Sequence, residues 1–177
     1  MVHRLEPIAN EYKKVLTTIQ AETPEQIALA REFMLEYAAW LEFKLCFQGF
    51  DEELQTLPGK YSPPAGRLLI AYWQQEPAGI GALRALDEPG VCEMKRLYVR
   101  PGFRGHAIGR LLAEKLIEEA RGIGYKFMRL DTVSGKMDQA IELYRQLGFK
   151  EIQPYYGSPV AGTVFMELLL KNDAIDY

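Results

Sequence analysis

Arg104-Gly105-His106-Ala107-Ile108-Gly109-Arg110 has the makings of an anion cradle. Before it, Leu97-Tyr98-Val99 ends an apolar strand that runs through Arg100 into a Pro101-Gly102 turn, and an amphipathic helix follows directly. A glycine-containing turn at a helix start leaves several backbone N–H groups without intrahelical partners, aimed outward with the positive end of the helix dipole. The anion such groups usually hold is a phosphate. The loop is expected to grip the pyrophosphate of a phosphorylated cofactor, with Arg104 or Arg110 adding side-chain charge. No G-K-[ST] follows the glycines, so this is not a Walker A loop. A second group that could do chemistry is Glu93. It lies four residues before Leu97, and strand alternation puts the two on one face.

Several elements must position these residues. Val15–Ile19 is β-branched and apolar enough for a first strand. Thr23-Pro24-Glu25-Gln26 supplies an N-cap, a proline at the first helical position and a capping-box Gln. Ile27, Ala30, Met34, Tyr37, Ala38, Leu41 and Leu45 then recur at helical spacing, with a bend or break near Phe47-Gln48-Gly49. A short helix is expected at Asp51–Leu57, and Pro58–Gly66 is a loop. Strands follow at Arg67–Trp73, Ala78–Leu86 and Val91–Val99, joined by two turns, so three antiparallel neighbours are implied. The helix behind the cradle closes at Gly122 or Gly124, and strand five is Lys126–Thr132, completing a right-handed βαβ unit. A helix over Met137–Leu147 stops at Gly148. Phe149–Ile152 reads as strand six and Thr163–Leu170 as the closing strand.

The bulk properties bound the function. A chain of 177 residues, 48% hydrophobic and 25% charged, fits one globular domain. We expect residues 1–12 as a lead-in and 13–177 as that domain. A net charge of −3 gives no basic stripe, so no nucleic-acid partner is expected. No apolar run is long enough for a signal peptide or a membrane span. Cys46 and Cys92 are far apart, which argues against a metal site or disulfide framework and for a reducing, cytoplasmic setting. Edge strands and a C-terminal β segment make a homodimer a possible assembly.

Two motifs resemble the GCN5-related N-acetyltransferase (GNAT) superfamily. Arg104-Gly105-His106-Ala107-Ile108-Gly109 is similar to its acetyl-CoA signature [RQ]-x-x-[GA]-x-[GA], after the Leu97-x-Val99-x-Pro101 strand exit. Ala140-Ile141-Glu142-Leu143-Tyr144-Arg145-Gln146-Leu147-Gly148-Phe149 is similar to its A-x-x-L-Y-x-x-L-G-F block. With the element order, the resemblance covers about Val15 to Leu170. Ala107 stands where glycine is commonest, so the backbone there must tolerate a Cβ. Met137 takes the place of an asparagine that often contacts the cofactor.

The resemblance implies an α/β (α+β) GNAT fold: a mixed, mostly antiparallel sheet of six or seven strands, splayed between strands four and five, with about four helices on both faces. It implies direct transfer of an acetyl group from acetyl-CoA to a primary amine, most simply that of a small molecule. Backbone groups at Leu97, Tyr98 and Val99 would pair with the pantetheine arm, and Thr132 on the facing strand would also contact the cofactor. Arg104, Gly105, His106, Ala107, Ile108, Gly109 and Arg110 would hold the pyrophosphate. Tyr144 would contact the cofactor and act as general acid toward the leaving thiolate, a role that suits a phenol of ordinary pKa near ~10. Glu93 would be the base. Around the family's variable acceptor region lie Phe47, Tyr61, Tyr155 and Tyr156, aromatics suited to a small substrate with an apolar or cationic part. The alternatives are a protein or peptide N-acetyltransferase, or a non-catalytic acyl-CoA-binding module.

Overall fold

In a computed structural model, residues 15–42, 45 and 49–170 are described. Strand β1 (Leu16–Gln20) leads into helix α1 (Pro24–Leu41) through a complete capping box. Thr23 Oγ1 accepts the Gln26 N–H at 3.2 Å, and Gln26 Oε1 accepts the Thr23 N–H at 3.1 Å. The sequence periodicity carries this helix to Leu45, but it stops at Leu41, where Glu42 takes a left-handed conformation with φ 61°. Leu45 is still buried, reaching the core from outside the helix. Helix α2 (Phe50–Thr56) and a 3₁₀ turn (Gly59–Tyr61) precede β2 (Arg67–Trp73), β3 (Glu76–Ala85) and β4 (Val91–Val99). After a 3₁₀ turn at Pro101–Phe103 come α3 (Ile108–Ile123), β5 (Phe127–Val133), α4 (Asp138–Gln146), β6 (Lys150–Ile152) and β7 (Thr163–Leu169). Apart from the end of α1, the strand and helix boundaries lie within a residue or two of those expected.

The seven strands form one sheet in the order β1-β2-β3-β4-β5-β7-β6. Among the described residues only β4 and β5 run parallel, because α3 carries the chain from one to the other. Each face of the sheet is covered by helix. On one, Ile108, Leu112 and Leu116 of α3 bury against Leu83, Met94, Met128 and Met166. On the other, Ala30, Phe33 and Met34 of α1 bury against Leu68, Ile70, Ile80 and Tyr98. The α3 face is approached closely. A Cβ on Gly81 of β3 would stand 2.9 Å from Leu116 Cδ1, so the glycine lets the helix sit down on the strand.

The parallel ladder is short. Val91 pairs with Phe127, Cys92 with Met128 and Glu93 with Arg129, and then β4 and β5 part. Beyond this point no strand among the described residues lies beside the β4 edge that faced β5. A second irregularity lies on the other edge of β4. Ile80 is opposite Tyr98 and Ala82 opposite Lys95, so three steps on β4 match two on β3. The extra residue is Arg96, at φ +58°. This bulge resets the alternation: Cys92, Met94, Leu97 and Val99 join the α3 core, while Tyr98 joins the α1 core. Glu93 and Leu97 therefore lie on opposite faces, not on one as simple alternation requires.

The bulge residue also fastens α2 to the sheet. Arg96 Nη2 lies 2.6 Å from Glu53 Oε2, its guanidinium stands 5.1 Å from the Phe50 ring centroid, and the Tyr61 hydroxyl donates to the same Glu53. Burial pushes the Glu53 carboxyl up, but the Arg96 hydrogen bonds and charge and the Tyr61 hydroxyl outweigh it, leaving the group below its ordinary value.

Two stability predictions follow from this architecture. Leu116→Ala, at a position with no solvent exposure, should lower unfolding free energy by about 3–5 kcal/mol in denaturant titrations. Glu53→Gln should cost about 3–5 kcal/mol at neutral pH, because it removes the carboxylate that is ion-paired with the buried Arg96 guanidinium. A carboxyl with a lowered folded pKa stabilises above its unfolded value and loses that stabilisation as pH falls through the folded one. The wild type should therefore weaken in acid more steeply than Glu53→Gln, and parallel pH profiles of melting would refute the assignment.

Candidate active site

The gap between β4 and β5 opens into a cleft of about 560 Å³. Leu97, Tyr98 and Val99 form one wall, Leu130 to Val133 the other, and Arg104, Ala107, Ile108 and Gly109 close one end. At that end α3 begins. Ala107 is its N-cap at φ 57°, ψ 22°, a left-handed conformation that a Cβ disfavours by about 1–2 kcal/mol. The first α-helical bond runs from the Leu111 N–H to the Ala107 carbonyl at 3.0 Å. The amides of Ile108, Gly109 and Arg110 precede it and point out of the helix start. Ile108 is buried and anchors this turn, and a Cβ on Gly109 would touch only Val99 Cγ2, at 3.8 Å. Gly105 takes φ +87° with nothing near its would-be Cβ, so it serves the turn's backbone shape rather than its clearance.

Side chains around the cradle depart from the expected set. Arg104 Nε donates to the Val99 carbonyl at 3.2 Å, and its guanidinium lies 5.3 Å from the Trp40 ring. Lys136 approaches that indole at 4.9 Å and pairs with Glu42 at 3.2 Å. The end of α1 is thus clasped between the cradle and the loop after β5. His106 turns away and stacks on Trp73, with centroids 4.3 Å apart. The Arg110 guanidinium bonds to Glu114 one turn on in α3 and to Gln146 at the end of α4. Among the seven cradle residues, Arg104, Ala107, Ile108 and Gly109 line the cleft.

Deeper in, Tyr144 on α4 lines the cleft and packs edge-on against Phe149 at 5.7 Å. Burial, and then the charges of Tyr37 and Asp131, push its phenol well above the ordinary value. It stays protonated and able to donate. Thr132 faces the cleft from β5, and its hydroxyl donates to Met137 Sδ at 3.2 Å.

Glu93 sits elsewhere. It is only 1% exposed, on the part of β4 that still pairs with β5, and it does not line the cleft. Arg84 Nη2 is 2.9 Å from Oε1, Lys95 Nζ is 3.8 Å from the same atom, and the Tyr155 hydroxyl donates to Oε2 at 2.7 Å. Tyr155 and Tyr156 pack on each other and on Phe165, outside the cleft lining. Tyr61 faces a smaller cavity of about 150 Å³ under α2, beside Glu53, Lys60 and Arg84. Lys95 and Arg96 line both cavities and form the wall between them. Phe47 lies outside the described residues.

Pattern reading missed Tyr37, Trp40, Lys95, Arg96 and Asp131, all of which line the cleft. Tyr37 carries helix periodicity and reads as core. For Lys95, Arg96 and Asp131 the signal was available as charge, since they interrupt strands that are otherwise apolar. Among the described residues no group of acids, cysteines or histidines could hold a metal, and no helix is long and apolar enough to cross a membrane.

Residues 29–149 match the family described as the acetyltransferase (GNAT) family. An uncharacterized N-acetyltransferase of Schizosaccharomyces pombe is 38% identical over 84% of this chain and 91% of its own length. A GNAT-family acetyltransferase structure from Staphylococcus aureus superposes with a TM-score of 0.71 at 22% identity, covering 88% of this chain and 99% of that one. A Salmonella typhimurium protein solved with its cofactor acetyl-CoA superposes with a TM-score of 0.62 at 23% identity, covering 90% and 96%. A sheet parted after three parallel rungs, a glycine cradle at the head of the crossover helix and this degree of likeness have one meaning: the chain belongs to the GNAT acetyltransferase family.

Proposed function

We propose that the protein transfers an acetyl group from acetyl-CoA to the primary amine of a small molecule, with Tyr144 as general acid. The observation that carries this reading is the cleft itself, which places a helix-start cradle at one end of a parted sheet and a buried phenol inside it. The residues fit coenzyme A on three counts. The amides ahead of the first α3 bond suit a pyrophosphate. The β4 edge beyond Glu93, left without a strand, offers main-chain groups to an extended amide-bearing arm. The volume of about 560 Å³ suits a ligand of that length. When bound, acetyl-CoA supplies the acyl thioester. The chain's own residues do the rest: the Ile108, Gly109 and Arg110 amides hold the anionic end, Leu97 to Val99 align the arm, and Tyr144 gives the departing sulfur its proton.

The acceptor side supports a small molecule. Behind the Lys95–Arg96 wall the cavity is about 150 Å³ and is roofed by α2 and the Gly59–Tyr61 turn. It would hold the compact polar end of an acceptor whose amine lies in the cleft beside Lys95, whereas a peptide needs an open groove.

Free-thiol release from acetyl-CoA with a panel of amines tests the activity. Binding without release would mark a non-catalytic acyl-CoA module, and release only with peptide amines would move the acceptor class. Gly109→Trp should abolish the thermal upshift that acetyl-CoA gives the wild type, and an unchanged upshift would sink the cradle. Tyr144→Phe should lower kcat about a hundredfold with little change in acetyl-CoA affinity. Because the Tyr144 pKa is raised, deprotonation of this phenol should cause no fall in rate up to about pH 10. A wild-type rate in Tyr144→Phe would remove the general-acid role.

A further inference from the structure

A primary amine is an ammonium ion near neutral pH and must lose a proton before it attacks a carbonyl. Among the described residues, the cleft lining contains two carboxylates, Asp131 and Asp138. Asp138 is committed to the start of α4, where Oδ1 accepts the Gly135 N–H at 2.7 Å. Asp131 stands differently. It is on β5 two residues beyond Arg129, just as Lys95 is on β4 two residues beyond Glu93, and Glu93–Arg129 is the last rung of the parallel ladder.

Where main-chain pairing ends, these two side chains meet instead: Lys95 Nζ lies 3.3 Å from Asp131 Oδ1. Oδ2 of Asp131 has no hydrogen-bond partner among the described residues, and it is not sealed from the cleft. The Asp131 side chain is 14% exposed, against 1% for that of Glu93, whose two oxygens are taken by Arg84 and Tyr155. Tyr144, Tyr37 and Tyr155 all feel its negative charge, so it lies within electrostatic reach of the phenol that faces the same cleft. The groups around it are Lys95 and Arg96 from β4, Tyr37 from α1, Tyr144 from α4 and Tyr155 from the loop after β6, with Glu93 beyond Lys95.

We infer that Asp131 is the catalytic residue that receives the acceptor: its open oxygen binds the ammonium group and takes its proton, with Lys95 as the positioning residue that holds the carboxylate across the gap. This rests on the acetyl-transfer reading above. One N–H proton passes to Asp131 Oδ2. The freed nitrogen lone pair forms the C–N bond to the thioester carbonyl carbon, the C–S bond breaks, and Tyr144 protonates the sulfur. A second nitrogen proton leaves through solvent and an equal one restores the Tyr144 phenol, while Asp131 releases its proton to water. The net products are an amide, free thiol and one proton.

The test uses the full chain, acetyl-CoA, the best amine from the panel and hydroxylamine, which is neutral near pH 7, with kcat/KM measured across the pH range. Asp131→Asn should keep the acetyl-CoA thermal upshift and lose about a hundredfold in kcat/KM for the basic amine at neutral pH. The loss should shrink as pH approaches the amine's own pKa, and it should be only a few-fold with hydroxylamine. An undiminished rate, or an equal loss at every pH and with both acceptors, would overturn the assignment. Lys95→Met gives an independent reading should Asp131→Asn not fold: removing the neighbouring cation should raise the midpoint of the acid limb of the profile, and an unmoved limb would count against Asp131. Absence of turnover by the wild type with every amine would instead defeat the acetyl-transfer reading itself.

Discussion

Three rungs of parallel pairing decide the character of this molecule. Val91, Cys92 and Glu93 bind β5, and from Met94 onward β4 does not. An unpaired strand edge inside a fold is costly unless something satisfies it, so the opening has to be imposed by its surroundings. α3 crosses from β4 to β5 and buries Leu112 and Leu116 beneath both. On the opposite face α1 lays Phe33 and Met34 over β2 and β3, and its Tyr37 and Trp40 reach the opening. With the sheet gripped from both sides, the gap is a fixed feature rather than a frayed end.

The Arg96 bulge is the second device, and it works on charge as much as on shape. By turning an extra residue toward α2, it places Lys95 and Arg96 side by side on a face where alternation would put only one of them. Each meets a carboxylate from a different element, Asp131 on β5 and Glu53 on α2. Buried cations need such partners to remain in place. The wall between the two cavities is therefore a pair of ion bridges, and its polarity is set by strand geometry.

Much of this was legible in the sequence, for physical reasons that can be named. The Arg104–Gly109 turn and the Tyr144 block are local motifs set by short-range backbone shape, and each lies on the element expected of it. The capping box at Thr23 fixed where α1 begins. Its end was harder: apolar spacing continues to Leu45, yet Glu42 turns left-handed and the buried side chain arrives by another route. Counting by twos cannot see a bulge, so Glu93 and Leu97 were expected on one face. The aromatics were read as a rim, but Tyr61 and Tyr155 spend their hydroxyls on Glu53 and Glu93. Those partnerships join residues far apart in the chain, and no short-range pattern encodes them.

The split ladder also couples occupancy to cohesion. A ligand lying along the β4 edge beyond Glu93 would act as a guest strand and contribute contacts that the unfolded chain cannot offer. By mass action, each tenfold rise in its free concentration above Kd deepens the folded well by about 1.4 kcal/mol. For an ordinary domain that is a sizeable fraction of a marginal total. A fold that leaves its own sheet unfinished would thereby gain stability from a molecule that finishes it.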